Sequence, residues 1–341
     1  MPTSIDDKII TDSLYLNRFD AQQRKEVEAL LRQMKRELLS ILSEKYLLEA
    51  TKRQVQALIN ETDAVIDAYY NQAATQLDIE QLFMHVVGTA QAAVQAAIPI
   101  TIAAGLPTVT HMKSIMSNVM FDGSPLAAWW DKQGQDVKFK FGGIIRQGIL
   151  QGSDYGKLVG PVMDLLDMKN KRGAVENARG LIHTSIQTVA NDARMAVFEA
   201  NADVIRCLVH VSTLDGHTCV QQCIPRSGKK WTVIEKKPIA PNKFPFKQAP
   251  LHFKCRCLTS AQSIYSPKES TPGFERASSI GPVDAKITFD EYLKRVPPAQ
   301  VEEMLGKGRY QLWKDGKITT SQLLDQTGRE LTLKELIDKY A

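Results

Sequence analysis

Apolar residues recur at steps of three and four along most of the chain, which is the period of helices with one buried face. The longest stripe is Val175, Ala178, Ile182, Ile186, Val189, Ala193, Val197 and Ala200, predicting a helix over about 174–201. Near the start, Val27, Leu31, Met34, Leu38 and Ile41 predict another, from an Asp20 cap to about Glu44. A more polar run over 49–70 places Val55, Leu58, Ile59, Val65 and Ile66 inward, so the two read as a helical hairpin or part of a stack. Further on, Ser124-Pro125 reads as a cap with proline at the first helical position. Short helices are expected after it, at Trp129-Trp130, Ile144-Ile145-Ile149 and Leu158-Val162-Leu166. The turn Asp122-Gly123, and glycines at 142, 143, 152 and 156, set their limits, and Lys169 to Gly173 is a basic connector.

The period changes to two at 204–212, where Leu208 and His210 alternate with Val209 and Val211, predicting a strand fed directly by the long helix. Trp231-Thr232-Val233-Ile234 is the expected second strand, in an otherwise turn-rich segment. Serine, proline and glycine then dominate 263–280, as in a linker. Beyond it, Thr288 with Glu291 and Thr332 with Glu335 form capping boxes, and Pro298 opens a helix that Gly306 ends. Gly306-Lys307-Gly308-Arg309 lacks the strand and the Lys-Ser/Thr of a phosphate loop. The resulting expectation is an α+β fold, mainly α-helical. Its parts are a helical region 1–115, a helical middle 116–203, a cysteine-containing module 204–262, a linker 263–285 and a helical extension 286–341.

Between Glu80 and Lys113 no residue carries a formal charge, and the stretch is long enough to span a bilayer. Gln81, Gln91, Gln95 and His85, with breaks at Pro99, Gly105 and Pro107, argue instead for a buried helix and turn or a subunit contact. Residues 1–20 lack a basic-then-apolar export pattern.

All five cysteines fall within 51 residues: Cys207, Cys219, Cys223, Cys255 and Cys257. Cys219 and Cys223 stand four apart and His252 and Cys255 three apart, which supplies four candidate ligands in two short clusters for a structural zinc ion. Buried reduced thiols and a disulfide are the other readings of the same spacing. The odd cysteine count weighs against the disulfide.

Net charge is only +5, yet residues 225–256 alone carry an excess of +8. Nine basic residues, Arg226, Lys229, Lys230, Lys236, Lys237, Lys243, Lys247, Lys254 and Arg256, face one acid, Glu235. Such a segment is a solvated loop or a surface for double-stranded DNA phosphates. Trp231, Phe244, Phe246 and Phe253 interleave with the lysines, as base-stacking side chains or as a small core.

Residues 212–257 also resemble a family signature. Ser212-Thr213-Leu214-Asp215-Gly216-His217-Thr218, then Cys223, Gly228-Lys229, Pro250-Leu251-His252 and Cys255-Arg256-Cys257 resemble the Mu F-like phage head morphogenesis proteins. His217 stands where that family usually has Arg, and Cys223 aligns with its cysteine, leaving Cys219 as an addition. The resemblance extends over about residues 124–341, including the long helix before the strand and the C-terminal tail. It implies a non-enzymatic minor head protein of a tailed phage particle, in the virion near the portal vertex and in host cytoplasm during assembly. Its implied partners are the portal protein, other head proteins and packaged DNA. A zinc-dependent nuclease using Asp215, His217 and His252 is the alternative. No helix-turn-helix is visible to support a stand-alone DNA-binding regulator.

Overall fold

The computed structural model describes residues 5–44, 50–121, 123–151, 153–166, 173–266, 275–284 and 287–340. The expected basic connector, except Gly173, falls outside them, as do Asp122, Gly152 and residues 267–274 and 285 of the expected linker. The fold is mainly helical, 61% of it in helix, with one small antiparallel sheet. Chain order begins α1 (Ile5–Glu44), α2 (Lys52–Ala74), α3 (Ile79–Ala96), α4 (Val109–Ser117), α5 (Leu126–Leu150), α6 (Tyr155–Leu166) and α7 (Ala174–Ala200). Then come β1 (Ile205–Val211), α8 (Cys223–Arg226), β2 (Lys230–Trp231), β3 (Leu258–Ser263), β4 (Glu275–Arg276) and β5 (Val283–Asp284). The chain finishes with α9 (Phe289–Leu293), α10 (Pro298–Leu305), α11 (Lys307–Lys314), a 3-10 turn at Thr320–Leu323, and α12 (Leu333–Tyr340).

Two compact units emerge, one of residues 14–80 and 118–186, the other of 1–13, 81–117 and 187–341. In the first, Val27, Leu31, Met34 and Leu38 are buried as their spacing predicts. Leu42 rather than Ile41 completes the stripe, because a 3.6-residue period carries the inward face from 38 to 42. Asp20 is not a cap. The helix begins fifteen residues earlier, and the buried Asp20 carboxylate meets His183 Nδ1 at 3.1 Å and Arg24 at 2.8 Å. The true cap of α2 is Thr51, whose capping box with Gln54 starts the helix slightly later than its apolar pattern suggested.

The first two short helices expected after Pro125 are one 25-residue helix, α5, while the third stands apart as the 12-residue α6, and Pro125 itself takes the N-cap position without a side-chain hydrogen bond. Gly142 and Gly143 do not break α5, and two further glycines are contact points. A methyl at Gly134 would sit 3.4 Å from Tyr70 Cγ, and one at Gly148 would be 2.2 Å from Leu158 Cδ2. Bare backbone at these positions lets α2 and α6 approach closely.

In the second unit, α3 buries Leu82, Phe83, Val86, Val87, Ala90, Ala93 and Val94. No helix among the described residues is long and apolar enough to cross a membrane. The loop after α3 is fastened by side-chain amides. Gln91 and Gln95 donate to the carbonyls of Ala104 and Ile102, Ala104 N–H returns a bond to Gln95, and Gly105 exchanges two bonds with Asn201. Ile100 stands at its tip, 97% exposed.

The sheet has the order β2-β1-β3, with Leu208 opposite Trp231 on one side and Ala261 on the other. Behind it, Asn191 of α7 accepts the N–H of Thr259, and the buried Arg194 pairs with Asp12 at 3.1 Å. The second expected strand is cut to two residues, because the chain turns back after Trp231 to bridge Pro238, with Lys236 in the left-handed region at φ 56°. The longer partner, β3, is polar and small-residued (Leu-Thr-Ser-Ala-Gln-Ser) and carries no alternating apolar signal.

Within the expected linker, β4 and β5 form a small hairpin, and Ser279 N–H donates to Leu214 O while Arg276 donates to Ser212 O. After it, both capping boxes form at Thr288 and Thr332, and Gly306 at φ 76° separates α10 from α11. This C-terminal segment packs its Val301, Leu305, Leu323 and Leu336 in one core with Leu214, Val220 and Ile224. Asp290 pins that core by accepting from Trp313 Nε1 and from the N–H and hydroxyl of Thr320.

Candidate metal centre

The antiparallel pairing of β1 with β3 builds this site. Val211 faces Leu258, so the chain leaving β1 and the chain entering β3 run side by side, and Thr213 continues the contact by donating to Arg256 O. Residues near 219–223 and 252–257, thirty apart in sequence, are thereby brought together. Asp215 shapes the first arm. It accepts from His217 N–H at 2.9 Å and from the Thr218 hydroxyl at 3.2 Å, as turn-forming aspartates do. Both its oxygens also take the guanidinium of Arg256, at 2.5 and 2.6 Å. Although burial alone would raise it, Arg256 holds the Asp215 carboxyl below its ordinary range.

Cys223 is the hub. With Cys219 and His252 it forms one group of three donor atoms within 4.8 Å of one another, and with Cys255 and Cys257 a second. Its sulfur lies 3.2 Å from His252 Nε2 and 3.7 Å from Cys255 Sγ. Tetrahedral zinc with Zn–S bonds of about 2.3 Å needs sulfurs about 3.7 Å apart. The imidazole is oriented for this: Nδ1 lies 2.8 Å from Phe253 O, a carbonyl that can only accept, so Nδ1 carries the proton and Nε2 presents its lone pair. A turn closed by Cys255 N–H on His252 O sets the second arm, with Lys254 at φ 63°.

The groups polarise one another. Hydrogen bonding from Cys223 draws Cys219 down to about 4, and Cys255 also falls, while Cys219 and Cys255 drive the Cys223 thiol up. Hydrogen bonds to Cys219 and Cys255 push His252 up to about 10, so a metal would have to displace the Nε2 proton before that lone pair could bind it. Thiols packed this closely cannot all ionise unless a cation joins them. A buried cluster of Cys223, Cys255, Cys257 and His252, flanked by the half-buried Cys219, is thus able to hold a metal ion.

Cys219, Cys223, His252 and Cys255, the ligands expected from spacing, do converge, and Cys257 joins them. The missed signal was Cys255-Arg256-Cys257, since residues two apart on extended chain project to the same side. Cys207 is not in the cluster; its thiol is 3.5 Å from Gln262 Oε1. His217 is exposed and outside both donor groups, and Thr218 is buried with its hydroxyl on Thr213 O.

The basic residues do not fan out as a single surface. Arg226 is 2% exposed and donates to Gln222 and to Gly328 O. Lys229 lies over the Phe244 ring, Lys230 donates to Gln262, Lys236 pairs with Glu199 and Arg256 with Asp215. Lys237, Lys243, Lys247 and Lys254 remain exposed, although Lys237 meets Glu235 and Lys247 donates to Leu251 O. Trp231 and Phe244 are buried with Leu324, and Phe246 packs on them, so these aromatics form a small core and not a stacking platform. His210, fully buried on β1, is pushed down to about 4 by burial and stays neutral.

Comparison with protein-family models, curated proteins and solved structures returns no match.

Proposed function

We propose that this chain is a minor head protein of a tailed phage particle, acting near the portal in head assembly and DNA packaging or delivery, with its cysteine module closed by a structural zinc ion. The observation that supports this is the convergence of the signature. Asp215, Thr218, Cys223, Cys255, Arg256 and Cys257, recognisable only as separate short motifs in sequence, build one turn-and-thiol assembly. A shared requirement to form that assembly gives the motif a physical reason to exist as a unit. Thiolate-rich, largely buried donor sets belong to closed structural zinc sites, whereas catalytic sites keep a position open.

The nuclease reading is less well supported. Asp215 is committed to Arg256 and to its own turn, and His217 is exposed and outside both donor groups. In the structural reading, exposed Lys237, Lys243, Lys247 and Lys254 offer DNA a sequence-independent contact.

Two measurements test the two halves. Protein purified without chelator should contain about one zinc per chain and lose thermal stability when the metal is stripped; metal-free protein with unchanged melting would remove the zinc. An epitope-tagged chain expressed during particle production should label a single vertex of purified heads by electron microscopy. Heads that assemble normally and carry no tag would overturn the head-protein reading.

A further inference from the structure

The four residues of α8 link the thiol cluster to the C-terminal segment. Cys223 places its sulfur at the centre of the donor groups, and both its N–H and that of Ile224 return to Cys219 O. Ile224 lies in the core that Val301, Leu305, Leu323 and Leu336 provide. Arg226 reaches across to Gly328 O with one guanidinium nitrogen and holds Gln222 with the other. Gly328 has φ 81°, and a methyl there would come within 2.6 Å of Arg226 Nη2, so the two are fitted to each other. One turn of helix cannot hold itself together in water, because its single nucleus is unfavourable. What holds α8 is therefore what its side chains bind.

Arg226 has a second peculiarity. It is almost fully buried, no carboxylate pairs with it among the described residues, and it shares the single turn of α8 with Cys223. A buried guanidinium requires an anion. A divalent ion with three thiolates and a neutral imidazole carries net charge −1, spread over its sulfurs, and that balances Arg226. Four thiolates without the imidazole would leave −2 beside a single cation.

Resting on the zinc reading above, we infer that metal binding at the cysteine cluster latches the C-terminal segment 287–340 onto the module through α8, with Arg226 as both counter-cation to the centre and clamp on Gly328. Filling the site fixes Cys223 and with it the helix that carries Ile224 and Arg226. Emptying it releases the anchor that Ile224 and Arg226 give to residues 287–340, while the cap-stabilised helices of that segment lose their docking surface and not their own hydrogen bonds.

The test is hydrogen exchange read by mass spectrometry on the full chain, with bound metal measured in parallel. Stripping zinc should speed exchange of amides in 289–340 at least tenfold and leave those of α5 unchanged. Arg226→Met should weaken zinc binding about tenfold, within the range seen when a group supporting metal ligands is lost, and should loosen 289–340 even with zinc bound. Arg226→Lys keeps the charge, so zinc affinity should stay within about threefold of wild type, while the clamp on Gly328 is still lost. Zinc bound and then removed with no change in 289–340 overturns the latch and leaves the zinc reading intact. Equal zinc affinities for wild type and Arg226→Met overturn the counter-cation role. Exchange rising equally in α5 and 289–340 on stripping means global unfolding and also overturns the latch. A chain that takes up no zinc at all fails the earlier reading, and this one with it.

Discussion

Asp215 and Arg256 are joined by two parallel hydrogen bonds, one from each terminal guanidinium nitrogen, across 41 residues of sequence. The pair ties the turn that leads to Cys219 against the segment between Cys255 and Cys257. Bidentate pairs of this kind exceed ordinary surface ion pairs in strength and fix geometry as well. In a double-mutant cycle, Asp215→Asn and Arg256→Gln should each cost about 1–2 kcal/mol, with a coupling of about 1 kcal/mol. Denaturant midpoints would supply the four values; a coupling near zero would mean that the two arms are held by the thiol cluster alone.

Asp192 gives a prediction about pH. Burial lifts its carboxyl from 3.8 to about 6, against a lowering by the Gln248 amide that donates to it at 2.6 Å. The folded state therefore binds this proton more tightly than the unfolded one. Its contribution to stability is complete below about pH 4 and is lost as pH rises through about 6. Asp192→Asn keeps the acceptor for Gln248 and removes the titration. It should add about 2 kcal/mol at pH 7.5 and almost nothing at pH 4. Urea unfolding at the two pH values separates this from a uniform packing change, which would be the same in both.

The two contact glycines of α5 should respond in opposite directions. At Gly134 a methyl would meet the Tyr70 ring at 3.4 Å, an ordinary contact, so alanine should gain about 0.5–1 kcal/mol of helix propensity. At Gly148 the methyl would collide with buried Leu158, and overpacking should outweigh propensity, for a net loss of about 1–2 kcal/mol. Thermal melts of the two single variants check this. Matching signs would show that α6 yields more readily than its buried Leu158 implies.

The proposed DNA contact rests on the exposed lysines. Changing Lys237, Lys243, Lys247 and Lys254 to Gln should flatten the log–log salt dependence of duplex binding by up to about 3.6, at about 0.9 per phosphate contact. Lys229 and Lys230, held against Phe244 and Gln262, should change it little. Retention on duplexes of unrelated sequence over a salt series reads both. An unaltered slope in the quadruple variant would assign the basic segment to solvent or to an acidic protein face.

Helices were readable wherever one face is buried, as at Val27, Leu31, Met34 and Leu38, and the caps at Thr288 and Thr332 were readable from side-chain chemistry alone. Gly142 and Gly143, expected as limits, lie inside α5, because a glycine costs a helix only about 1 kcal/mol and does not end one that packing holds. The strand Leu258–Ser263 left no trace in sequence, since its small polar residues take their place from partners: the backbone of β1, and Asn191 of α7. At the candidate metal site the spacing of the cysteines and His252 was legible, but the neutralisation of Arg256, Lys236 and Lys237 was not, because each acid that meets them lies outside the pattern or, as with Glu235, was counted only as a minority.

The amide-fastened loop beneath Ile100 has one further consequence. Glutamine and asparagine side chains neither titrate nor attract counterions, so the bonds from Gln91, Gln95 and Asn201 to Ala104, Ile102 and Gly105 have no acid limb and no ionic-strength dependence. The tip is built from materials that acid and brine do not erode. Whatever meets Ile100 would find it in the same posture in dilute buffer and in molar salt.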